Sequence, residues 1–535
     1  MRKFFVHAVM SAALLSSATA ALAETPADRA ATTAERAAAA EEKKRLGSHH
    51  LRCDGKPDNM SDGESFARLL GAVTLLGLFA PAEEMADPSK RLFGAKGIEA
   101  CSRLIDQPDG EANGFRRVPL ILARALHQIE AQNYTAALVD VEKARGESTA
   151  LGLIGNPYFD RTMGLSFDVI EAEARLRAND PATGRTVGVR KQAAMPYSFY
   201  AAAAARPFGS YNRDLSPAEE SFWQTSQRVM PGNAIAYALR LEDVGRFAEA
   251  VAQREALIIL LAAISTTSKD SSVMAETAVA HALAGSWDKA AARAAEARTN
   301  MDTLAAAGKP EADQSQVVEL LDFFDVLKLA HDGKPDEARR NFAARSQWTA
   351  PSLGVVMAAT ERLRQGAKPD QLFGALGKPA DALWQRRREL AIAQRIETDK
   401  NNRSLFTYIL PYANIRGYES LSKDVWRTDK PRLIERAPMA DSKFWFMSIN
   451  SDAMTQPDAL LLHAAMQAKA KGFPGFVFLA GRDRPSSALV QFGRKDDPAI
   501  AAPLYLDADA VIAEMRQLIP SPAELEARRK AKPKA

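Results

Sequence analysis

The stretch ALAGSWDKAAARAAEA, residues 282–297, carries the pattern that decides the fold of this chain. Gly285 precedes an aromatic residue and three alanines that follow at helical spacing, namely Trp287, Ala290, Ala294 and Ala297. Steps of three, four and three residues place these side chains on one face of a helix. A glycine before that helix is typical of a tight turn, and alanine on its face allows a partner helix to approach closely. The stretch therefore predicts two helices joined by a turn.

The same pattern occurs at residues 130–144, 242–257 and 329–345. Each stretch has a turn, then an aromatic residue or proline, then an alanine three positions later; these alanines are Ala137, Ala250 and Ala338. The pattern resembles the tetratricopeptide repeat family, whose helix-turn-helix units of about 34 residues stack into a solenoid. The small residue expected in the first helix of a repeat is matched by Ala125, Ala238 and Ala278, whereas Val326 departs from it.

The spacing of the units predicts an irregular array. Successive alanines of the second helices are 113, 40 and 48 residues apart, and none of these gaps is a multiple of 34. Insertions or degenerate repeats would explain the gaps, and a generic bundle of helical hairpins is the alternative. The resemblance implies a mainly α, irregular tetratricopeptide-like solenoid over residues 51–400, which would offer a concave surface to a protein or peptide. The sequence alone does not identify the residues of that groove.

The composition is that of a folded globular protein rather than a fibrous or disordered one. Hydrophobic residues make up 47% and charged residues 25% of the 535 positions, values that suit about three domains or one long repeat array. The longest mature apolar run, at residues 69–80, is too short to span a bilayer and predicts a buried helix. Lys and Arg number 70 against 66 Asp and Glu, and this near balance gives no reason to expect a nucleic acid partner.

The N-terminus has the features of a secretory signal. Arg2 and Lys3 precede an apolar stretch, and residues 21–23 form a small-x-small cleavage site. We expect a signal peptide at residues 1–23, cleaved after Ala23, and hence a periplasmic protein. Residues 24–50 are rich in alanine and charge and are expected to be a disordered or loosely helical spacer.

Cys53 and Cys101 are the two cysteines of the chain. In an exported protein, two cysteines on one folded unit favour a disulfide, with two buried free thiols as the alternative. The stretch GIEACSRLIDQPDG, residues 97–110, also resembles the cysteine-containing first repeat of exported tetratricopeptide-type proteins of proteobacteria. Those proteins often carry an earlier cysteine, so the resemblance too implies that Cys53 pairs with Cys101.

A different pattern begins after residue 404. Aromatic and β-branched segments at residues 444–449, 475–479 and 487–492 predict strands, and residues 503–506 and 408–426 are further candidates. Helical spacing at residues 457–471 and 507–518 completes an α+β domain over residues 405–520, with helices on one face of a sheet. The stretch around residues 459–483 resembles a small domain of unknown function in exported proteins and lipoproteins of proteobacteria. Residues 521–535 form a basic tail, expected to be disordered, that could touch the envelope weakly.

The sequence contains no recognisable catalytic or metal-binding motif, so we expect no cofactor and no metal. The function indicated is therefore a non-enzymatic periplasmic scaffold that binds an unidentified protein or peptide through its helical repeats. One alternative is a structural protein associated with the envelope through the basic tail. The other is an enzyme whose site lies in the C-terminal domain, where a pocket uniting His463, Asp458 and Asp483 would favour it.

Overall fold

The computed structural model describes residues 47–57, 86–204, 212–265, 269–398, 405–429, 434–436, 441–451, 454–480 and 486–531. The predicted signal peptide, residues 24–46 of the predicted spacer and the apolar run at residues 69–80 lie outside these ranges. The described chain is mainly helical, with a small antiparallel sheet near the C-terminus. This confirms the predicted fold class at the level of helices followed by an α+β region. Among the described residues, every helix is too short or too polar to cross a membrane.

The chain forms two compact units, and each draws on two separate stretches of sequence. The first unit combines residues up to Gly188 with Ala393–Tyr412, and the second combines Val189–Ile392 with Ala413–Ala535. These divisions differ from the predicted domains at residues 51–400 and 405–520. Residues 405–412 join the first unit because Leu405 and Ile409 are buried in its core. The C-terminal sheet shares a unit with the later helices because it packs against them, as shown below.

The first unit is built around one buried helix. Its described helices are α1 (His49–Asp54), α2 (Gly94–Ile105), α3 (Gly114–Glu130), α4 (Tyr134–Ala150), α5 (Pro157–Asp160), α6 (Met163–Arg177) and the first part of α7 (Pro181–Ala194). Helix α3 contacts α1, α2, α4 and α6, and it is buried on almost every side, with every residue from Val118 to His127 buried. The Arg116 guanidinium of α3 also donates two hydrogen bonds to the buried Asp54 carboxylate of α1, at 2.6 and 2.9 Å.

The fold of the first unit begins within the segment that was predicted to be a spacer, residues 24–50. Residues 47–50 belong to the fold, since the Ser48 hydroxyl caps α1 by accepting from the Leu51 amide. His50 is buried, and its Nε2 lies 3.0 Å from the Glu111 carboxylate. Burial of these residues is explained by the adjacent disulfide, which fixes α1 against α2.

The predicted disulfide is present between Cys53 of α1 and Cys101 of α2. Both cysteines are fully buried, and the Cα atoms lie 4.8 Å apart. The carbonyl oxygen of Cys53 lies 2.8 Å from the Nε2 atom of His127, a fully buried residue of α3. The disulfide thus joins two helices that both pack against α3.

Replacing Cys53 and Cys101 together with serine should lower the free energy of unfolding of the first unit by about 2–4 kcal/mol. The linked residues are 48 positions apart, so the disulfide removes many conformations from the unfolded chain. Urea unfolding of the variant measures the loss. The chain has no other cysteine, so a reductant should destabilise the natural protein and leave the variant unchanged. Equal unfolding midpoints for the two proteins would refute the prediction.

The second unit contains most of the predicted hairpins. Its helices before the sheet are α8 (Phe199–Ala204), α9 (Pro217–Val229), α10 (Asn233–Asp243), α11 (Phe247–Ile264), α12 (Ser271–Leu283), α13 (Trp287–Ala306), α14 (Gln314–His331), α15 (Pro335–Ala343), α16 (Leu353–Arg364) and α17 (Ala380–Thr398), whose last residues belong to the first unit. The Ser216 hydroxyl caps the start of α9 by accepting from the Glu219 amide. The aromatic residues Phe222 and Trp223 of this helix are buried, so they serve packing.

Three consecutive hairpins, α10–α11, α12–α13 and α14–α15, share one local design. Gly245, Gly285 and Gly333 each adopt a positive φ of 77° to 82° just before the second helix begins. The second helices then start at Phe247, Trp287 and Pro335, and the alanines three positions later are fully buried; these are Ala250, Ala290 and Ala338. The first helices α12 and α14 pack together. The pattern of glycine, large residue and alanine therefore predicted each of these turns correctly.

Helix α16 lies across the first helices of two hairpins, because it packs against both α10 and α12. The Ser352 hydroxyl, just before α16, donates to the Glu242 carboxylate of α10 at 2.6 Å. The Arg362 side chain donates to the carbonyl oxygen of Leu283, at the end of α12, at 2.7 Å. A methyl group at Gly354 would collide with the backbone of Glu242 and Asp243, so glycine permits this close approach.

The C-terminal part of the second unit is an α+β arrangement. Its elements are α18 (Ile415–Glu419), α19 (Ser422–Val425), β1 (Ile434–Arg436), β2 (Trp445–Ser448), α20 (Gln456–Ala470), β3 (Gly475–Ala480), β4 (Ser487–Gly493), β5 (Tyr505–Asp507), α21 (Ala508–Met515) and α22 (Pro522–Ala531). The described strands pair antiparallel in the order β1-β2-β4-β3-β5. Two predictions were wrong here: residues 415–425 form short helices rather than a strand, and residues 522–531 of the basic tail form a helix anchored by the buried Leu525.

Helices cover both faces of the sheet, which corrects the prediction of one covered face. Helix α20 packs on β3 and β4. Val477 and Tyr505 point to the opposite face and share a buried cluster with Leu257 and Leu260 of α11. The Lys443 amide also donates to the carbonyl oxygen of Ala263 in α11, at 2.8 Å. The inner face of the sheet is therefore closed by the hairpin helices of its own unit.

Candidate functional site

A cavity of about 520 Å³ lies where α11 ends, α12 begins and the middle of α13 passes. Its apolar lining consists of Ile258, Leu261, Ala262, Met274 and Ala295. Its polar lining consists of Lys269, Asp270, Arg293, Glu296, Thr299, Asn300 and Thr303. Apolar walls with a few polar groups are typical of sites that bind organic ligands or side chains. We refer to it below as the α11–α13 cavity.

Asp270 occupies the N-cap of α12, where its carboxylate accepts a hydrogen bond from the Val273 amide at 3.0 Å. Burial, with a smaller contribution from the nearby charges of Asp313, Glu311 and Glu276, raises the pKa of this carboxyl group from its ordinary value of 3.8 to about 6. The amide hydrogen bond acts in the opposite sense but is outweighed. Asp270 therefore keeps its proton to a higher pH than an exposed aspartate does.

Glu311 belongs to the loop between α13 and α14 and lies next to the cavity. Its Oε1 atom accepts from the Ser271 amide at 3.3 Å and from the Asn300 side chain at 3.5 Å. The Asn300 side chain also donates to the Ser271 hydroxyl at 2.8 Å. These bonds hold a second carboxylate beside the N-terminus of α12.

Arg293, at the other side of the cavity, is fully engaged by acidic groups. It donates to Glu255 at 2.5 and 3.0 Å and to Glu296 at 2.6 Å. His281 lies 2.9 Å from the same Glu255 carboxylate. Burial alone would raise the pKa of Glu255, but the hydrogen bonds from Arg293 and His281 lower it below its ordinary value. Arg293 and Glu296 therefore line the cavity as an ion pair.

A buried ion-pair network lies between α10, α11 and α12. Arg254 of α11 donates to Glu242 of α10 at 2.6 Å and also to Glu276 of α12. The side chains of Arg254 and Glu242 are 3% and 0% exposed, so both charges are removed from water. The second oxygen of Glu242 accepts from Ser352, which connects the network to α16. The network therefore fixes α10, α11 and α12 relative to one another.

Asp270 should make the stability of the second unit depend on pH. Its pKa is raised to about 6 in the fold, above the ordinary value of 3.8, so the folded state holds the extra proton between these pH values. Stability should therefore fall as the pH rises from about 4 to about 6, by roughly 2–3 kcal/mol for this group. Asp270→Asn keeps an N-cap side chain and removes the titration.

Urea unfolding of both proteins at several pH values tests this dependence. The stability of Asp270→Asn relative to the natural protein should rise across the window from about pH 4 to about pH 6 and then level off. The comparison cancels the titration of every group that the two proteins share. A stability difference that stays constant from pH 4 to pH 7 would contradict the assigned pKa.

The structure describes two of the three residues proposed for an enzymatic site. His463 of α20 is fully buried, its Nδ1 atom lies 2.8 Å from the carbonyl oxygen of Val425, and its Nε2 atom lies 3.3 Å from the Gln467 amide. Asp458 accepts a hydrogen bond from the Tyr418 hydroxyl at 3.1 Å. Asp483 lies outside the described residues. Each of the two described residues is thus committed to its own structural contacts.

The sequence did not single out the residues of the α11–α13 cavity. Asp270 is recognisable as a helix N-cap, but Glu311 is 41 positions later in the chain and meets it only through the hairpin. Within the described residues, no group of three or more His, Cys, Asp or Glu side chains is placed to hold a metal ion. Comparisons with protein-family models, with curated proteins and with solved structures each find no match to this chain.

Proposed function

We propose that this protein is a non-enzymatic, exported scaffold of tetratricopeptide-like repeats that binds a segment of another protein at the α11–α13 cavity. The observation that carries the proposal is the cavity itself, which opens between two consecutive hairpins and combines apolar walls with fixed polar groups. The repeated turn of glycine, large residue and buried alanine supports the likeness to tetratricopeptide repeats. The buried disulfide supports an oxidising compartment such as the periplasm.

The position of α16 favours this cavity over the concave groove expected from the resemblance. In a stacked array, first helices line the groove that receives a partner. Here α16 packs on the first helices α10 and α12 and is bonded to both hairpins through Ser352 and Arg362. A partner at that groove would have to displace buried residues of α16, whereas the α11–α13 cavity needs no such rearrangement.

The contacts of His463 and Asp458 weigh against the enzymatic alternative. A general base needs a nitrogen or oxygen directed at a substrate, whereas both nitrogens of His463 already have partners inside the fold. His463 is also fully buried. We therefore assign these residues a structural role in anchoring α20.

Site-specific photo-crosslinking in cells that produce the full chain tests the proposed binding. A benzophenone amino acid replaces Thr303, which lines the cavity, and in a control chain it replaces the exposed Leu390 of α17. We expect one discrete adduct with Thr303 that does not form with Leu390. Identical sets of adducts at both positions, or adducts at Leu390 alone, would overturn the assignment of the cavity as the binding site.

A further inference from the structure

We propose that the apolar run at residues 69–80 packs on an exposed apolar patch of the first unit, formed by Phe115, Leu151, Ile154 and Tyr412. This group is called the Phe115 patch below. The run lies outside the described residues, so the support comes from the patch itself, from the two points where the chain around the run joins the described fold, and from the chemistry of the run. The inference concerns the first unit and does not depend on the α11–α13 cavity.

The Phe115 patch combines the start of α3 with the loop after α4. Phe115, Leu151 and Ile154 have exposed fractions of 51%, 37% and 42%. Leu151 lies against the backbone of α3, since a methyl group on Gly114 would come within 2.9 Å of its side chain. The ring of Tyr412 stacks on that of Phe115, with the centroids 6.3 Å apart. Single exposed apolar residues are ordinary, whereas a group of them is typical of a surface that packs against something.

Both ends of the segment that contains the run are fixed beside this patch. The segment comprises residues 58–85. Just before it, the carbonyl oxygen of Lys56 accepts a hydrogen bond at 3.1 Å from Arg116, which directly follows the aromatic residue of the patch in α3. Just after it, the Asp87 amide donates to the carbonyl oxygen of Gly55 at 2.9 Å. The segment therefore starts and ends at one place in the fold, close to the start of α3.

The length of the segment keeps the run near the patch. Ala80, the last residue of the run, is six positions before Ala86, where the described chain resumes. An extended chain covers about 3.3–3.6 Å per residue, so Ala80 cannot be further than about 22 Å from Ala86. A short tether gives its two ends an effective concentration on the order of millimolar, and a separate molecule would have to compete with that. This favours the run of the same chain as the occupant of the patch.

The composition of the run fits an apolar surface. It reads LLGAVTLLGLFA and contains no charged residue. At twelve residues it is too short to cross a bilayer as a helix, so its apolar side chains are removed from water most readily against the protein. Arg68 precedes the run, and Glu83 and Glu84 follow it closely. These charged residues suit the edge of the contact, where they remain in water.

Photo-crosslinking within the purified full chain tests the contact. A benzophenone amino acid replaces Phe115, and the irradiated monomer is reduced and digested with trypsin. Cleavage after Arg68 and Lys90 places the whole run in one peptide, residues 69–90. We expect this peptide to be joined to residues 104–116, the peptide that carries the probe. An adduct found only in covalent dimers would overturn the inference, because the run would then come from a second copy.

Two variants of the segment distinguish docking from nearness alone. The combined variant Leu75→Ser, Leu76→Ser and Phe79→Ser keeps the length of the run and makes it polar, so the adduct should be lost. Ala67→Ser with Ala82→Ser is the matched control, since it adds serines to the same segment outside the run, and it should retain the adduct. An undiminished adduct with the polar run would overturn docking, because the tether alone would then account for it.

A second probe position tests whether the contact is specific to the patch. Val139 of α4 is 64% exposed and lies 12 residues before Leu151 in sequence, or about 18 Å along the helix. A benzophenone amino acid at position 139 should give no adduct with residues 69–90. Equal adducts from positions 115 and 139 would contradict the assigned surface.

Vesicles of phosphatidylethanolamine and phosphatidylglycerol separate docking from a membrane contact. With vesicles present, we expect the yield of the adduct from position 115 to stay unchanged and the protein to remain in solution when the vesicles are sedimented. Sedimentation of the natural protein with loss of the adduct would show that the run enters lipid and would overturn the inference. Either result leaves the proposed binding site untouched, because the crosslinking at Thr303 probes the other unit.

Discussion

Arg254→Ala is expected to lower the free energy of unfolding of the second unit by about 3–5 kcal/mol. The substitution leaves the carboxylate of Glu242 buried and without its cationic partner, since the Glu242 side chain is 0% exposed. The partly exposed Glu276 can regain water, so most of the cost arises at Glu242. Equilibrium unfolding in urea measures the change, with the helical circular dichroism signal as the readout.

Two further variants show whether the effect comes from an isolated buried charge. Arg246→Ala removes an arginine from exposed ion pairs with Glu249 and Glu220 and should cost no more than about 1 kcal/mol. Arg254→Met combined with Glu242→Gln removes both charges and retains an acceptor for Ser352. This double variant should recover most of the stability lost in Arg254→Ala. If it is as unstable as the single variant, the loss reflects packing rather than charge.

Phe444→Ala should destabilise the second unit by about 3–5 kcal/mol through a different mechanism. Phe444 is fully buried between the sheet and α11, in the cluster that contains Val477, Leu257 and Leu260. Truncation removes apolar contacts and leaves a cavity that the surrounding helices and strands cannot fill completely. The loss is measured by urea unfolding, together with the binding of a hydrophobic dye that reports exposed apolar surface.

Phe473→Ala provides the matched control for this substitution. Phe473 is 38% exposed and stacks on Phe492 near the end of α20, so its removal should cost about 1 kcal/mol or less. Similar losses for the two phenylalanines would contradict the conclusion that the hairpin helices close the inner face of the sheet. A large loss confined to Phe444 supports it.

Local features of the fold were predictable because each depends on residues close in sequence. Gly285, Trp287 and Ala290 specify a turn and a packed helix within six residues, and Ser216 specifies the start of α9 in the same way. Aromatic and β-branched residues likewise predicted β3 and β4. The cover on the second face of the sheet was not predictable, because it comes from α11, whose apolar residues do not reveal which surface they meet.

The candidate site was beyond sequence reasoning for a related reason. Asp270 and Glu311 are separated in sequence by two helices, α12 and α13, and their proximity depends on the angle and length of this hairpin. His463 shows the converse case, because its nearness to Asp458 in sequence was the reason for considering an enzymatic alternative. In the fold, His463 contacts Val425 and Gln467, whereas Asp458 contacts Tyr418. Spacing along a helix describes a face and does not identify what packs against it.

The division of each unit between distant stretches of sequence affects how the chain acquires its structure. A polypeptide emerges from the ribosome from the N-terminus onward, and α11 is complete long before Val477 and Tyr505, which cover it, have been synthesised. The first unit likewise waits for Leu405 and Ile409. Both cores thus depend on non-local contacts, which slow folding and leave apolar surface open to chaperones in the meantime. The first unit can therefore close only after Ile409 has been synthesised, and the second only after Tyr505.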